Sequence, residues 1–497
     1  MNTSVAGQTT AKSDPRKGRR LRRGGVLMVV ATAMILAGCS SGSSAKPTGS
    51  TGNTTNTTAQ QIASKYINTP LSPEQGLTAI ESVLGPYKPV SGDTVRGIHG
   101  KVITLSGVAD ESASGTKLSP GVCDGAAARI AAANRAGGVD GYTFNYVGCK
   151  DSGDNPTTQL QDVQTAVQQQ GAFAMVPLES ITGEDNLSSF IEGQHVPSFG
   201  GGANPAFCGW NTTAFAFSVT WATSCATNPL PGGVESQDDN FLQVYLKAAH
   251  VKASDAKIAI VASQDAGFQG TAKFLPAVAE QMGMHVVYYG APIPAASAPA
   301  LSDYAPLAEQ LLHTGANVIF PYASSPLDSV DLMTALKSIG YKGQVINLYA
   351  IQALLQVPSI ATALDGAITP QDNGASVFPS KQMNTITADL KAIHSPYTAA
   401  DAGVFGGYGS ADMFLNALSK VQGPLTAEKL ANVMNKGYTY PGFGNAVCSS
   451  EWPVAHVMLD PCSAGVIVDA ASKSFTPAVN LDYSIGHLYL EPASAAR

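Results

Sequence analysis

The chain has 497 residues, of which 44% are apolar and 13% are charged, and its formal net charge is -7. At about 150 residues per domain, this length predicts two or three domains with enough apolar residues for a sizeable core. The negative charge balance argues against the basic surface that a nucleic-acid partner requires, so no nucleic-acid binding is expected.

The first 39 residues combine a basic block with a short apolar run. Six of the eight residues from 16 to 23 are Arg or Lys, and residues 26–37 are predominantly apolar. A spanning helix needs about 20 apolar residues, so this run predicts a secretory signal peptide. Leu36-Ala37-Gly38-Cys39 looks like a lipobox, so we predict that residues 1–39 are a lipoprotein signal peptide and that Cys39 is lipidated. An ordinary signal peptide followed by an incidental cysteine is the alternative.

Removal of this segment changes the charge of the chain. Residues 1–39 contain seven of the 29 basic and one of the 36 acidic residues, which leaves 22 basic and 35 acidic residues and a net charge of -13. Such an acidic exported protein favours a small-molecule ligand over an anionic surface as its partner.

Six cysteines remain once Cys39 is assigned to lipidation, and an oxidising compartment would pair them. Six cysteines allow fifteen pairings, and their order along the chain favours three short loops. Zinc is the competing interpretation, but no Cys-x-x-Cys and no nearby histidine gives zinc spacing, so no metal site is predicted. The favoured pairs are Cys123–Cys149, Cys208–Cys225 and Cys448–Cys462.

Residues 40–62 consist mainly of Ser, Thr, Gly and Asn, which predicts a flexible tether that cannot form a core. Residues 63–97 form an N-terminal extension, with a short helix predicted near 73–84. From residue 98, strands alternate with helices, which predicts right-handed βαβ units and a parallel sheet. The predicted strands of this first unit are 102–105, 142–147, 173–177 and 195–199, and its predicted helices are 121–136 and 158–169.

The same alternation starts again after residue 237. Two successive α/β units predict two Rossmann-like lobes, each with its own parallel sheet. The predicted strands of the second unit are 257–262, 284–289, 317–321 and 344–348. Its predicted helices are 241–248, 270–281, 304–314 and 329–339, and two further helices are predicted at 404–421 and 426–436.

Four short segments, in their order and at their separations, resemble one family of proteins. They are 103–107 (ITLSG), 133–141 (ANRAGGVDG), 196–199 (VPSF) with Asn204 and Pro205, and 262–270 (ASQDAGFQG). Together they resemble the type I periplasmic binding proteins, in particular the branched-chain amino-acid and amide group that serves ABC importers. The resemblance covers about residues 98–480.

This resemblance implies an α/β fold of two lobes with parallel sheets, joined by a three-crossover hinge, with the ligand in the cleft between them. Lobe 1 would comprise residues 98–236 and 370–450, lobe 2 residues 237–369 and 451–482, and residues 483–497 a C-terminal tail. The implied partners are a small-molecule ligand, an ABC permease and, through the lipid anchor, the cell membrane. No cofactor is implied, and the site of action would be extracytoplasmic.

The resemblance also implies ligand-binding residues after the strands of lobe 1. Ser180 would offer its hydroxyl or backbone N–H to a ligand carboxylate, with Thr182 beside it; capping of the next helix is the alternative. Gly201, Gly202 and Ala203 follow the next strand, where backbone amides could cradle an anionic group. A tight turn alone would also require glycine there.

In lobe 2, Phe268 occupies a position where the family often places an aromatic side chain over the ligand; a plain core position is the alternative. Tyr322 and Ser324 follow one later strand, and Tyr349 follows the next. The family's amino-acid binders often carry an acid near the position of Tyr349, and here the residue differs. Glu179 and Asp265 are the acids that could pair with a ligand ammonium instead, and both could equally cap helices.

No catalytic residue is predicted. The chain lacks Gly-x-Ser-x-Gly, His-Glu-x-x-His and phosphate-loop motifs, and its eight histidines are scattered. We therefore expect a binding protein for a small polar solute, amino-acid-like or amide-like, rather than an enzyme. Two other functions stay open, which are a ligand-sensing subunit of the same fold that presents to a signalling partner, and a secreted α/β hydrolase.

Overall fold

The computed structural model describes most of the chain after residue 84 and isolated positions before it. The described residues are 65, 69–72, 75, 78–79, 81–82, 85, 87–113, 116–117, 119–153, 155–180, 185–202, 207, 213–216, 234–295, 298–349, 351–352, 354–371, 380–443, 449–456, 462–482 and 486–497. The signal peptide predicted at 1–39, Cys39 and the tether predicted at 40–62 lie outside them. No helix within these described ranges is long and apolar enough to cross a membrane.

Lobe 1 is built around a six-stranded sheet in which every pairing is parallel except that of the first strand. Its strands are β1 (Ile98–His99), β2 (Val102–Ala109), β5 (Thr143–Asp151), β6 (Ala174–Ser180), β7 (Ser198–Gly202) and β8 (Ala214–Ala216), and β3 (Ser112–Ala113) and β4 (Thr116–Lys117) form a separate hairpin. The order is β1-β2-β6-β7-β8, and β5 also pairs with β2. Helices α1 (Val122–Arg135), α2 (Pro156–Gln164) and α3 (Asp185–Gly193) connect these strands.

Lobe 2 begins with β9 (Val234–Asp238) and repeats the alternation around a parallel sheet of four strands. These strands are β10 (Lys257–Ser263), β11 (His285–Ile293), β12 (Val318–Tyr322) and β13 (Gln344–Val345), in the order β11-β10-β12-β13. The helices are α4 (Asn240–Ala249), α5 (Ala266–Ala272), α6 (Leu275–Gln281), α7 (Ala305–His313), α8 (Pro326–Ser338) and α9 (Pro358–Leu364).

The remaining elements are shared between the lobes. Strands β14 (Ile368–Gln371), β17 (Ser463–Asp469) and β18 (Ser474–Asp482) form an antiparallel sheet, and β19 (Leu488–Pro492) pairs with β9. Helices α10 (Lys381–Ala392), α11 (Ala402–Leu418) and α12 (Ala427–Met434), with the hairpin β15 (Thr439–Tyr440) and β16 (Ser450–Glu451), contribute to the core of lobe 1.

The chain passes between the lobes three times. It crosses between β8 and β9, between β14 and α10, and between the helical turn Val454–His456 and β17. These features confirm the predicted α/β fold of two Rossmann-like lobes with parallel sheets joined by a three-crossover hinge. Trp452 and His456 pack against the ring of Phe215, so lobe 1 extends to residue 456 in the structure.

Local sequence explains most of the elements and their differences from expectation. Strand β2 buries seven of its eight residues and continues to Ala109, four residues beyond the predicted strand 102–105. The helix predicted at 270–281 is divided into α5 and α6, because Pro276 lies in the first turn of α6 and has no N–H to continue α5. In α8, Ser325 is the N-cap and its side chain accepts from the N–H of Asp328.

The structure contains the Cys123–Cys149 disulfide that the cysteine order favours. This bond links the first turn of α1 to β5. Cys462 is also in a disulfide. Cys208, Cys225 and Cys448 lie outside the described residues, so the other two pairings stay predictions.

Candidate functional site

Ser180 and the glycines of β7 lie side by side at one edge of the lobe 1 sheet. In the parallel pairing of β6 with β7, Ser180 is the register partner of Gly202, and Gly201 pairs with the residue before Ser180. The strands end at this edge, which in a doubly wound α/β fold is the edge that faces the ligand crevice. The structure thus brings three of the five predicted lobe 1 residues together, while Thr182 and Ala203 lie outside the described residues.

Gly200, immediately before this pair of glycines, has a packing role. A Cβ atom at Gly200 would lie 1.7 Å from the carbonyl oxygen of Leu178 on the neighbouring strand. Only glycine allows the two strands to approach this closely at position 200.

Two buried carboxyl groups lie at the same edge. Asp110 directly follows β2 and is fully buried, and Glu179 near the end of β6 is 7% exposed. The hydroxyl of Ser152 donates to Asp110, and the side-chain amide of Gln159 lies 3.4 Å from the same carboxyl group. That amide also donates to the backbone oxygen of Glu179 at 2.9 Å, so Gln159 joins the ends of β2 and β6.

The carboxyl group of Glu179 is less well satisfied than that of Asp110. It accepts a hydrogen bond from Ser119, but its Oε2 is buried and has no hydrogen-bond partner in the described part of the chain. Burial raises the pKa of Glu179 well above its usual range, and the nearby charge of Asp110 raises it further. A donor N–H or O–H would satisfy this oxygen, and a cationic donor would also favour the ionised carboxylate.

The loop between β2 and α1 is held to β5 around these carboxyl groups. The Cys123–Cys149 disulfide provides a covalent link. The backbone N–H of Cys123 donates to Oε1 of Glu111 at 2.8 Å, and the hydroxyl of Ser112 donates to Oδ2 of Asp151 at 2.7 Å. This edge of lobe 1 is therefore held in place before any ligand is present.

All four residues predicted in lobe 2 lie together at the ends of its strands. The rings of Phe268 and Tyr322 have centroids 5.4 Å apart. The hydroxyl of Tyr349 donates to the carbonyl oxygens of Ala323 and Ser324, at 2.5 and 2.7 Å. These predicted residues are at most 3% exposed, and Phe268 belongs to the buried core of lobe 2.

The acid nearest to this group is Asp265, which follows β10. The hydroxyl of Ser324 donates to Oδ2 of Asp265, and the backbone N–H of Ser324 donates to the hydroxyl of Ser263 at 3.2 Å. Tyr304 donates in the same way to Asp328, whose pKa is raised by burial and by the charge of Asp265. Asp265 and Asp328 therefore each accept a hydrogen bond from a neighbouring hydroxyl group of this edge.

Two surface grooves lie elsewhere on lobe 1. One, of 640 Å³, is lined by Lys420, Lys429 and Lys436, and the other, of 540 Å³, is lined by Glu81, Tyr87 and Trp452 among others. Lys420 and Lys436 follow the C-terminal ends of α11 and α12, where positive charge complements the helix dipole. This ordinary role accounts for two of the three lysines, and no predicted ligand-binding residue lines either groove, so neither groove is assigned to the ligand.

Some residues of the site were not predicted from the sequence. Asp110, Gln159 and Ser119 belong to the lobe 1 carboxyl cluster, and Asp328 belongs to lobe 2. Asp110 follows the end of a strand just as Ser180 ends one, but the sequence prediction missed it because the predicted strand stopped at residue 105 and β2 continues to Ala109. No group of three or more His, Cys, Asp or Glu residues in the described ranges could hold a metal ion.

The fold and the residues at its strand ends define a two-lobed α/β binding protein. A family model described as periplasmic binding protein matches residues 102–459, which is well over half of the chain. The chain belongs to the periplasmic binding protein family. A search of curated proteins found no significant match.

Solved structures of ABC-transporter substrate-binding proteins share the fold. One from Aeropyrum pernix is 13% identical, with a TM-score of 0.60, and the match covers 77% of this chain and 99% of that one. A branched-chain amino-acid ABC transporter protein from Thermus thermophilus with bound valine is 14% identical, with a TM-score of 0.57 and coverage of 77% and 96%. A solute-binding protein from R. palustris in complex with 4-hydroxybenzoate is 15% identical, with a TM-score of 0.55 and coverage of 77% and 97%. At these identities the likeness concerns the fold alone.

Proposed function

We propose that this protein is the extracytoplasmic, lipid-anchored substrate-binding protein of an ABC importer. It binds one small polar solute between its lobes and delivers it to a permease in the membrane. No residue has a catalytic role in this proposal. The observation that carries it is the grouping of Ser180, Gly201 and Gly202 at the strand ends of one lobe and of Phe268 and Tyr349 at those of the other, in a member of the periplasmic binding protein family.

We infer further that the ligand carries both a carboxylate and a hydrogen-bond donor, as an amino acid does. The valine and 4-hydroxybenzoate bound by the relatives from T. thermophilus and R. palustris are small carboxylates. In this chain, the backbone beside Ser180 and Gly202 would receive the carboxylate. Glu179 would receive the donor, because its buried Oε2 has no other partner among the described residues. Asp265 is a weaker candidate for the donor because it already accepts from Ser324.

A thermal-shift screen of the purified full-length protein tests this function. The panel contains amino acids, their amides, aromatic and aliphatic carboxylates, urea and polyols. A ligand present at 100 times its Kd should add about 2.7 kcal/mol to the free energy of unfolding. A panel without any stabilising solute, alongside detectable turnover of an ester, amide or glycoside, would contradict the proposal.

Variants then locate the site. The triple variant Ser180→Ala, Phe268→Ala, Tyr349→Ala should abolish the thermal shift that a hit produces. Ser410→Ala is the matched control, because the Ser410 hydroxyl donates a hydrogen bond to the carbonyl oxygen of Gly406 within α11, away from the strand ends. Retention of the full shift by the triple variant would place the ligand elsewhere.

The anchor is tested separately. Cys39→Ala should release the exported protein from the membrane fraction, because a single cysteine carries all of the acyl chains in this proposal. Unchanged membrane association of Cys39→Ala would rule out lipidation at this residue.

A further inference from the structure

The N-terminal extension contacts both lobes. At one end, Leu71 forms a two-way bridge with Leu488 of β19, in which each backbone N–H donates to the other residue's carbonyl oxygen at 3.0 Å. Leu71 is 3% exposed. Strand β19 belongs to lobe 2, because it pairs with β9 and its Tyr489 lies in the lobe 2 core.

The other end of the extension is fixed to α12, which belongs to lobe 1. The Asn432 side chain accepts from the hydroxyl of Tyr87 at 2.6 Å and from the N–H of Val90 at 2.9 Å, and its amide donates back to the Val90 oxygen at 2.8 Å. Glu428 accepts from the N–H and the hydroxyl of Thr94, at 2.8 and 2.6 Å. The N-terminal residue of α12, Ala427, donates to the Thr94 oxygen at 3.0 Å.

The described residues between these two ends are helical in part. Ser72 and Gln75 form a capping box, in which the Ser72 N–H donates to Oε1 of Gln75 at 2.9 Å and the Gln75 N–H donates to the Ser72 hydroxyl at 3.3 Å. Residues 75, 78–79 and 81–82 are helical, in agreement with the helix predicted near 73–84.

The two ends of the extension are held by different contacts. Three residues of α12 make six hydrogen bonds with residues 87–94, and Leu71 makes the bridge to β19. Between the ends, Glu81 and Tyr87 line the groove of 540 Å³ together with Trp452, and Ala79 is fully buried. The bridge joins the extension to lobe 2, so a relative movement of the lobes would strain it.

We propose that the N-terminal extension, fixed to lobe 2 through Leu71 and to lobe 1 through residues 87–94, forms a strap across the hinge, and that the Leu71–Leu488 bridge restrains the relative movement of the two lobes. A hinge motion changes the distance between β19 and α12, and a strap fixed to both resists that change until it gives way at one end. The restraint favours one interlobe arrangement, and a ligand's apparent affinity depends on the fraction of molecules that can bind it. This inference concerns the ligand-free protein and does not rest on the proposed function.

Proline substitution removes the bridge from either side. Leu71→Pro deletes the N–H that donates to Leu488, and Leu488→Pro deletes the N–H that donates to Leu71. Leu71→Ala and Leu488→Ala are the matched controls, because they shorten the side chain and keep both hydrogen bonds. The two proline substitutions lie on opposite sides of the bridge and should have the same effect. If one variant misfolds, the other still tests the strap.

The measurement is the interlobe distance in the ligand-free, full-length protein. Spin labels are attached through Lys391→Cys on α10 and Leu312→Cys on α7, both at exposed positions. We expect both proline variants to broaden the distance distribution or to add a second population, and both alanine variants to keep the wild-type distribution. Proline distributions that match those of the alanine controls would overturn the strap, even if the proline variants melt at lower temperature.

Discussion

The strand-end edges of the two lobes are organised in opposite ways. In lobe 2, Asp265, Ser324 and Tyr349 satisfy one another and the neighbouring backbone. In lobe 1, a disulfide and Gln159 hold the edge in place, but Oε2 of Glu179 has no partner in the described part of the chain. Lobe 2 thus pairs its strand-end acids with hydroxyl donors, while lobe 1 keeps a buried oxygen that a ligand could satisfy.

The largest expected effect concerns the covalent link in lobe 1. The double variant Cys123→Ala, Cys149→Ala should lower the free energy of unfolding by about 3.5 kcal/mol, because the disulfide closes a loop with a sequence separation of 26 residues. Denaturant unfolding with a lobe 1 probe measures it. Cys123→Ala alone leaves a free thiol and serves as the comparison. A loss below about 1 kcal/mol would mean that hydrogen bonds, as in lobe 2, suffice to hold this edge.

The second prediction tests the hydrogen bond between Asp265 and Ser324 in lobe 2. Asp265→Ala should cost about 2–3 kcal/mol of stability, because it leaves the buried Ser324 hydroxyl without its acceptor. Asp265→Asn keeps an acceptor oxygen and should recover part of the loss. The cycle with Ser324→Ala isolates the pair, and we expect a coupling energy of about 1 kcal/mol or more. Additive effects of the two substitutions would remove the contrast between the lobes.

The third prediction concerns acid and the lobe 1 end of the strap. Burial alone would raise the pKa of Glu428, but hydrogen bonds from Thr94 and His195 lower it to about 2. A carboxylate with a lowered pKa stabilises the fold above its unfolded value near 4.3, and this stability is lost as the pH falls towards 2. We expect Glu428→Gln to lose about 2 kcal/mol at pH 7 and to show a smaller acid-induced loss. Equal acid sensitivity of wild type and variant would contradict this.

The fourth prediction concerns Glu179, whose pKa is shifted in the direction opposite to that of Glu428. Its raised pKa means that the folded protein holds a proton that the unfolded chain releases, so stability should fall as the pH rises above about 4.3. Glu179→Gln should remove this decline and gain about 1 kcal/mol at pH 7, while weakening a cationic ligand about tenfold or more. Glu309→Gln, at an exposed position of α7, is the control. A variant that binds as tightly as wild type would mean that Glu179 does not contact the ligand.

The sequence could predict those parts of the site that depend on local order along the chain. Alternating strands and helices located the strand ends, and with them Ser180, Phe268 and Tyr349. The pairing of Asp110 with Glu179 depends instead on β2 and β6 becoming neighbours, which no local pattern specifies. The N-terminal extension shows the same limit more clearly, because the hydrogen bond from Thr94 to Glu428 joins residues that are 334 positions apart. Such a contact depends on how the elements pack, so the sequence alone predicted no role for the extension.

The smallest expected effect is at the lobe 2 end of the molecule, beside the strap bridge. His487 precedes Leu488, and its hydrogen bond to Asp239 raises its pKa. A histidine with a raised pKa stabilises the fold below its unfolded value near 6.5, and that stability is lost as the pH rises through the folded value. Because the side chain is 38% exposed, we expect a loss of under about 1 kcal/mol between pH 6 and 9. His487→Gln should flatten this dependence of stability on pH, and His285→Gln at an exposed position is the control. In the spin-label experiment, a distance distribution that broadens at alkaline pH in the wild type but not in His487→Gln would link the His487–Asp239 pair to the strap. Broadening in acid instead would assign the pH-sensitive end of the strap to Glu428 in lobe 1.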